Sequence, residues 1–234
     1  MNILIIEHAP GRAKGIEKTL LSIDPNVTAT VARIYLDPKI PDFVDFDGII
    51  VGGGPMGVYE IDKPEYSYIK AEADYLKNAI NSRQPILAIC FGHQLIAQIL
   101  GGEVIRDEAK KEIGWYTIQK TDDGKTAKSM MGLPDSFTMF EYHYDRISKL
   151  PPNAIVLATS DLCDIQALSY DGLPISSFQF HPELDAALGN EIFESSRDKL
   201  TNMGYDVDQI LEQSQSVSEP YRLKVFENFL KSIK

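Results

Sequence analysis

Residues 85–90, PILAIC, are apolar at every position, and FGHQLIAQIL (91–100) continues with apolar residues at helical spacing. A short strand that is apolar throughout cannot have one face in water. It needs cover on both faces, which is the environment of a parallel sheet between helices. The spacing of GHQLIAQIL predicts a helix over 92–100, closed by Gly101-Gly102, where glycine accepts the left-handed backbone that ends many helices. A buried strand running directly into a helix is the repeating unit of an α/β fold.

The rest of the amino-terminal half has the same texture. NILIIEH (2–8) predicts a first strand, followed by a helix over about 12–22. VTATVAR (27–33) and DGIIVGG (47–53) predict two more strands. PEYSYIKAEADYLKNAI (64–80) has helical spacing, with Pro64 suited to the first turn. Beyond residue 102 the pattern changes: EVIR, IGWYTIQK, SFTMFEY, AIVLATS, DIQALSY and ISSFQF are close-set strand candidates separated by turns. That spacing predicts an antiparallel extension. From Glu191 to Lys234 the apolar residues return to helical spacing. The expected fold is α/β: an open, mostly parallel sheet flanked by helices, with an antiparallel extension and C-terminal helices. No repeat or linker divides the chain. Residues 1–234 therefore read as one domain, with 191–234 a helical extension within it.

The formal charge of -11 and a pI near 4.8 argue against nucleic acid or an anionic membrane as the main partner, since an acidic surface repels both. No apolar run approaches the roughly 20 residues that span a bilayer. MNILIIEHAP reads as a buried strand and not as a signal sequence. Two cysteines, Cys90 and Cys163, make no disulfide framework. The expected compartment is the reducing cytoplasm.

Two glycine stretches resemble nucleotide loops. VGGGPMG (51–57) contains G-x-G-x-x-G through Gly52, Gly54 and Gly57. A dinucleotide fingerprint needs a helix opening at once on the turn. Here Pro55 interrupts the turn, and VYEIDKP delays any helix to about residue 64. A structural glycine turn, or a loop baring backbone N–H groups to an anion, remains open. In DDGKTAKS (122–129), the first glycine of a phosphate loop would fall at Gln119. That stretch reads as a polar hairpin tip.

AICFGHQ (88–94) carries the reactive chemistry. A strand turning sharply into a helix strains its turn residue, so the positions two before and two after must be small. Ala88 and Gly92 meet that need around Cys90. The thiol would stand at the carboxyl end of a parallel strand, where open sheets bind ligands. It would also face a helix N-terminus, whose dipole favours thiolate. The Phe91 N–H would be free to face an oxyanion. Taken alone, the stretch equally describes a buried, inert cysteine. Of the four histidines, His93 lies in the helix after the turn and faces away, and His8 has no evident partner. His181, in SSFQFHPEL, ends a late strand with Glu183 two residues on. Residues i and i+2 of an extended segment share a face, so Glu183 can orient the imidazole toward the thiol.

Together, Cys-Phe-Gly-His-Gln on an elbow and Phe-Gln-Phe-His-Pro-Glu near residue 181 resemble the class I (triad-type) glutamine amidotransferases. The resemblance is nearest to the glutaminase domain of GMP synthetase and its stand-alone relatives. It spans about residues 1–185 and includes Gly-Gly-Pro (53–55), Ile-Gly-Trp (113–115) and His-x-Asp (143–145). It implies a flavodoxin-like sheet and a reaction without a cofactor or metal. Cys90 attacks the glutamine side-chain amide to give a γ-glutamyl thioester and ammonia. His181 moves protons, and Glu183 positions it. The resemblance further implies an oxyanion hole from the N–H groups of Gly54 and Phe91, and substrate contacts from Gln94, Tyr142, His143, Tyr144 and Asp145. Ala88 stands where the family usually has glycine, and Tyr144 where a small residue is common. No synthetase domain follows, which implies a separate acceptor protein for the ammonia. Two alternatives keep the fold: a γ-glutamyl peptidase or hydrolase, and a non-catalytic binding module.

Overall fold

The computed structural model describes residues 1–61, 63–217 and 219–233. In the amino-terminal half the strands are β1 (Asn2–Glu7), β2 (Thr28–Arg33), β3 (Gly48–Val51), β4 (Ile86–Ile89) and β5 (Glu103–Arg106). Then come β6 (Glu112–Lys120), β7 (Ser136–His143), β8 (Asp145–Lys149), β9 (Ala154–Thr159), β10 (Ala167–Tyr170) and β11 (Ile175–Phe178). The helices are α1 (Lys14–Ile23), α2 (Tyr68–Asn81), α3 (Phe91–Ile99) and α4 (Asp122–Thr126), followed by α5 (Ala186–Ser195), α6 (Arg197–Asn202), α7 (Val207–Gln213) and α8 (Glu219–Ser232).

One sheet runs β2-β1-β3-β4-β11-β10-β9-β6-β7, and β5 pairs with β8 in a separate ribbon. The β2 to β11 portion is parallel, and β10, β9, β6 and β7 continue it antiparallel. This is the expected α/β sheet with its antiparallel extension. The all-apolar strands are explained by cover on both faces. Ile3, Ile5, Ile50, Leu87, Ile89 and Phe178 pack under α1 and α8, through Ile16, Leu20, Val225, Phe226, Phe229 and Leu230. The alternate residues Leu4, Ile6, Ile49, Val51, Ile86 and Ala88 pack under α2 and α3, through Ile69, Leu76, Leu95 and Ile96. A third cluster joins Ile113, Trp115 and Phe140 to Phe193, Leu200, Val207 and Ile210 of α5, α6 and α7.

Three local expectations need correction. Residues 122–126 form a short helix, not a hairpin tip. Thr121 caps it by accepting from the Gly124 N–H at 3.0 Å, and a Cβ on Gly124 would lie 1.9 Å from the Leu157 carbonyl oxygen. Strand β8, DRISK, is absent from the expected set because its polar residues hide the alternation. The helix expected from residue 64 begins at Tyr68, after a 3-10 turn at Pro64–Tyr66. Among the described residues, no helix is long and apolar enough to cross a membrane.

Helix α8 closes one face of the sheet. A Cβ on Gly48 of β3 would meet the Phe229 ring at 2.9 Å, so the ring packs directly on the strand backbone where glycine leaves room for it. Truncating Phe229 leaves a hole under the parallel sheet. Phe229→Ala is expected to lower the unfolding free energy by about 3–5 kcal/mol, measured by denaturant titration.

Candidate active site

The parallel register builds the site. Val51 of β3 pairs with Ala88 of β4, and Ala88 pairs with Ser177 of β11. Two residues beyond each, Gly53, Cys90 and Gln179 therefore leave the sheet side by side at its carboxyl edge. The Cys90 N–H donates to the Phe178 carbonyl at 2.8 Å, and the chain then turns at once into α3. Cys90 has φ 51° and ψ −105°, a backbone conformation that costs a side-chain-bearing residue about 1–3 kcal/mol. The turn is tight enough that a Cβ on Gly92 would lie 2.4 Å from the Val51 carbonyl oxygen. Ala88 is tolerated in place of glycine because its methyl lies in the apolar layer under α2 and α3.

His181 lies across Gly53 from Cys90. A Cβ on Gly53 would stand 2.9 Å from His181 Cε1 and 3.6 Å from Cys90 Cβ. The His181 N–H donates to the Phe140 carbonyl at 3.0 Å, and the Phe140 ring meets the imidazole edge-on at 5.6 Å. His181 Nδ1 is 2.6 Å from Glu183 Oε1. Burial opposes charge on this imidazole, but the Glu183 carboxylate and the Cys90 sulfur outweigh it and hold the pKa well above the ordinary value. Helix α1 packs against Glu183, since a Cβ on Gly15 would meet its carbonyl oxygen at 2.8 Å and its Cγ at 3.2 Å. Cys90, His181 and Glu183 are each less than 7% exposed.

The remaining histidines are engaged elsewhere. His93 Nδ1 is 2.7 Å from Ser177 Oγ, and burial pushes its pKa down to about 3. His8 pairs with Glu72 at 2.9 Å, a partner the sequence did not suggest. His143 Nε2 faces Glu112 at 2.9 Å, while its Nδ1 is 3.0 Å from the Asp145 carbonyl oxygen. Glu112 also accepts from Ser160 Oγ and Gln166 Nε2, each at 2.6 Å. Glu112, His143 and Cys163 form a cluster with donor atoms within 4.8 Å of one another; it is distinct from Cys90. Beside it, Glu141 is fully buried, and neither of its oxygens has a hydrogen-bond partner. Burial, then Glu112, pushes its pKa well up.

A cavity of about 270 Å³ opens over Cys90, a size for a small metabolite and not a polymer. Gly53, Gly54, Gln94, Tyr142, His143, Tyr144, Asp145, His181 and Glu183 line it, with Ile192, Ser196 and Lys199 from the C-terminal helices. Phe91 begins α3, so its N–H is among the first-turn donors with no intrahelical acceptor. Gln94 Nε2 donates to the Asp145 carbonyl at 3.0 Å, joining the elbow helix to the 142–145 loop. The Asp145 carboxylate accepts from Tyr59 at 3.0 Å. Tyr144 turns its ring toward the rim, with the Arg106 guanidinium 4.5 Å over it. All the expected site residues except Phe91 line this cavity, and the His143 ring also bonds to Glu112 in the neighbouring cluster. Sequence reasoning missed Gly53, Tyr59 and Gln179. Gln179 was legible in principle, because Phe-Gln-Phe-His follows a strand that must neighbour PILAIC.

A thiol on a strand-to-helix elbow, with an imidazole and carboxylate behind it, makes a Cys-His-Glu acyl-transfer enzyme. The family model for glutamine amidotransferase class-I matches residues 13–197, and the chain belongs to that family. It is similar to a glutamine-hydrolysing GMP synthase subunit of Methanosphaera stadtmanae, 33% identical over 202 residues, covering 83% of this chain and 96% of that protein. The corresponding GMP synthase subunit of Methanocaldococcus jannaschii is 36% identical over 149 residues, covering 63% of this chain and 71% of that one. A solved glutamine amidotransferase from Thermotoga maritima superposes with a TM-score of 0.88 at 25% identity, covering 100% of this chain and 98% of that one. The activity is hydrolysis of the glutamine side-chain amide with release of ammonia.

Strain at Cys90 has a measurable consequence. Glycine adopts φ near +50° freely, whereas alanine keeps the Cβ clash. Cys90→Gly is expected to be more stable than Cys90→Ala by about 1 kcal/mol, read from paired thermal melts.

Proposed function

We propose that Cys90 is the nucleophile, His181 the proton carrier and Glu183 its orienting carboxylate. The observation that carries this reading is the 2.6 Å His181–Glu183 contact with the imidazole's other side turned to a strained thiol. Cys90 attacks the glutamine amide carbon, giving a tetrahedral oxyanion held by the N–H groups of Gly54 and Phe91. Imidazolium His181 protonates the leaving nitrogen, the C–N bond breaks, and ammonia departs from a γ-glutamyl thioester. Neutral His181 then takes a proton from water as it attacks the thioester, which releases glutamate and restores the thiol. Gln94 and the backbone of residues 142–145 hold the glutamine, with Tyr142, Tyr144 and Asp145 shaping the cavity mouth and His143 bracing the loop from behind.

The relatives named as GMP synthase subunits support a further step: the ammonia passes to a separate synthetase subunit. Residues 1–234 act as one amidotransferase domain in the cytoplasm, a setting that suits two free, buried thiols.

Cys90→Ser is expected to lower ammonia release from glutamine by more than about 10³-fold, measured in a coupled glutamate dehydrogenase assay. Unchanged hydrolysis would sink the assignment, and turnover of γ-glutamyl dipeptides far above glutamine would redirect it to a peptidase. The Glu183 carboxylate raises the His181 pKa, so its removal lowers that pKa. Glu183→Gln is therefore expected to move the alkaline limb of kcat/KM to lower pH and to reduce the neutral rate by about 10²-fold. An alkaline limb that stays in place would separate Glu183 from His181 in function.

A further inference from the structure

Gln179 is fully buried, yet its side chain packs against the reacting sulfur and not against the apolar core. Its Nε2 lies 3.6 Å from Cys90 Sγ. We propose that Gln179 is a further catalytic residue, whose side-chain amide donates to the Cys90 sulfur and stabilises the thiolate that attacks the substrate. The proposal rests on Cys90 being the nucleophile.

The contact follows from the backbone. Phe178 pairs with Ile89 in the parallel ladder, so the next residues on each strand, Gln179 and Cys90, emerge as neighbours. The Gln179 N–H donates to the Gln166 carbonyl at 2.8 Å, which fixes the start of the side chain. Its orientation is fixed by a chain of hydrogen bonds with one direction. Gln94 Nε2 donates to the Asp145 backbone carbonyl at 3.0 Å, and the same nitrogen donates to Gln179 Oε1 at 3.0 Å. A backbone carbonyl can only accept, so Gln94 must present its NH₂ there. The remaining hydrogen of that NH₂ requires oxygen from Gln179, and the Gln179 NH₂ is left facing sulfur. Flipping either amide would set donor against donor or acceptor against acceptor.

A donor without charge suits this position. A cation beside Sγ would compete with the imidazolium, whereas an amide N–H favours the charged sulfur without altering the proton count. Because Gln94 also touches the Asp145 carbonyl of the substrate loop, the same chain links that loop to the nucleophile.

The test is iodoacetamide alkylation of the intact protein across pH, followed residue by residue by mass spectrometry. Cys163 is buried and its pKa is pushed up to about 12, so it serves as the unreactive internal reference. In Gln179→Met the pH midpoint for Cys90 alkylation is expected to rise by about one unit, which reduces the rate roughly tenfold at any pH well below both midpoints. The limiting rate at high pH should stay unchanged. Gln179→Glu keeps the shape and the Gln94 contact but turns an acceptor toward sulfur, so its midpoint should rise further. It serves equally if the methionine variant fails to fold. Midpoints equal to wild type in the folded variants would overturn the role of Gln179 while leaving Cys90 as nucleophile. A wild-type Cys90 no more reactive than a free thiol at pH 7 would overturn both.

Discussion

The Cys90 N–H donates to the Phe178 carbonyl at 2.8 Å, the last rung of the ladder between β4 and β11. From that rung onward the positions of Cys90, Gln179, His181 and Gly53 are no longer independent. The pairing that places Cys90 beside Gln179 also brings His181 to the thiol two residues later, and the pairing of β3 with β4 slides Gly53 beneath both. A one-residue slip in a parallel strand would turn every side chain to the opposite face. Apolar cover on both faces fixes the alignment of the sheet, and the turn at Cys90 uses that alignment. The strain at φ 51° is sustained because the ladder holds one side of the turn and the Gly92–Val51 contact holds the other.

Behind the cavity lies a buried polar layer built around Glu112 and not around Cys90. Glu112 gathers Ser160, Gln166 and His143, and His143 in turn reaches the Asp145 carbonyl. The His143 contact ties this layer to the loop that Gln94 reaches from the other side. Tyr144 follows from the same arrangement. With His143 turned inward, the next side chain must point outward, where it lies under Arg106 and borders the C-terminal helices.

Those helices divide into two roles. Ile192 of α5, Lys199 of α6 and Ser196 between them form one wall of the cavity, so the chain beyond Glu183 contributes directly to it. Helix α8 turns away and seals the sheet under β3 through Phe226 and Phe229.

Much of this was legible in the chain. Uniformly apolar PILAIC required a parallel strand covered on both faces, small residues around Cys90 announced an elbow, and the i, i+2 spacing of His181 and Glu183 placed imidazole and carboxylate on one face. These are local properties, set by backbone geometry and side-chain size over a few residues. Other features were beyond local reading. The polar strand β8 owes its existence to β5, where Arg106 pairs with Asp145 from far along the chain, and the helix at 122–126 owes its tight fit to Leu157. His8 and His143 found carboxylates on distant elements, because a buried imidazole must take a partner wherever the fold supplies one. The sequence alone determined the order Cys90, His181, Glu183 and the turn on which the thiol stands. Only the tertiary structure decided which amide faces the sulfur, since that depends on strand register and on the one-way hydrogen bonding of a distant backbone carbonyl.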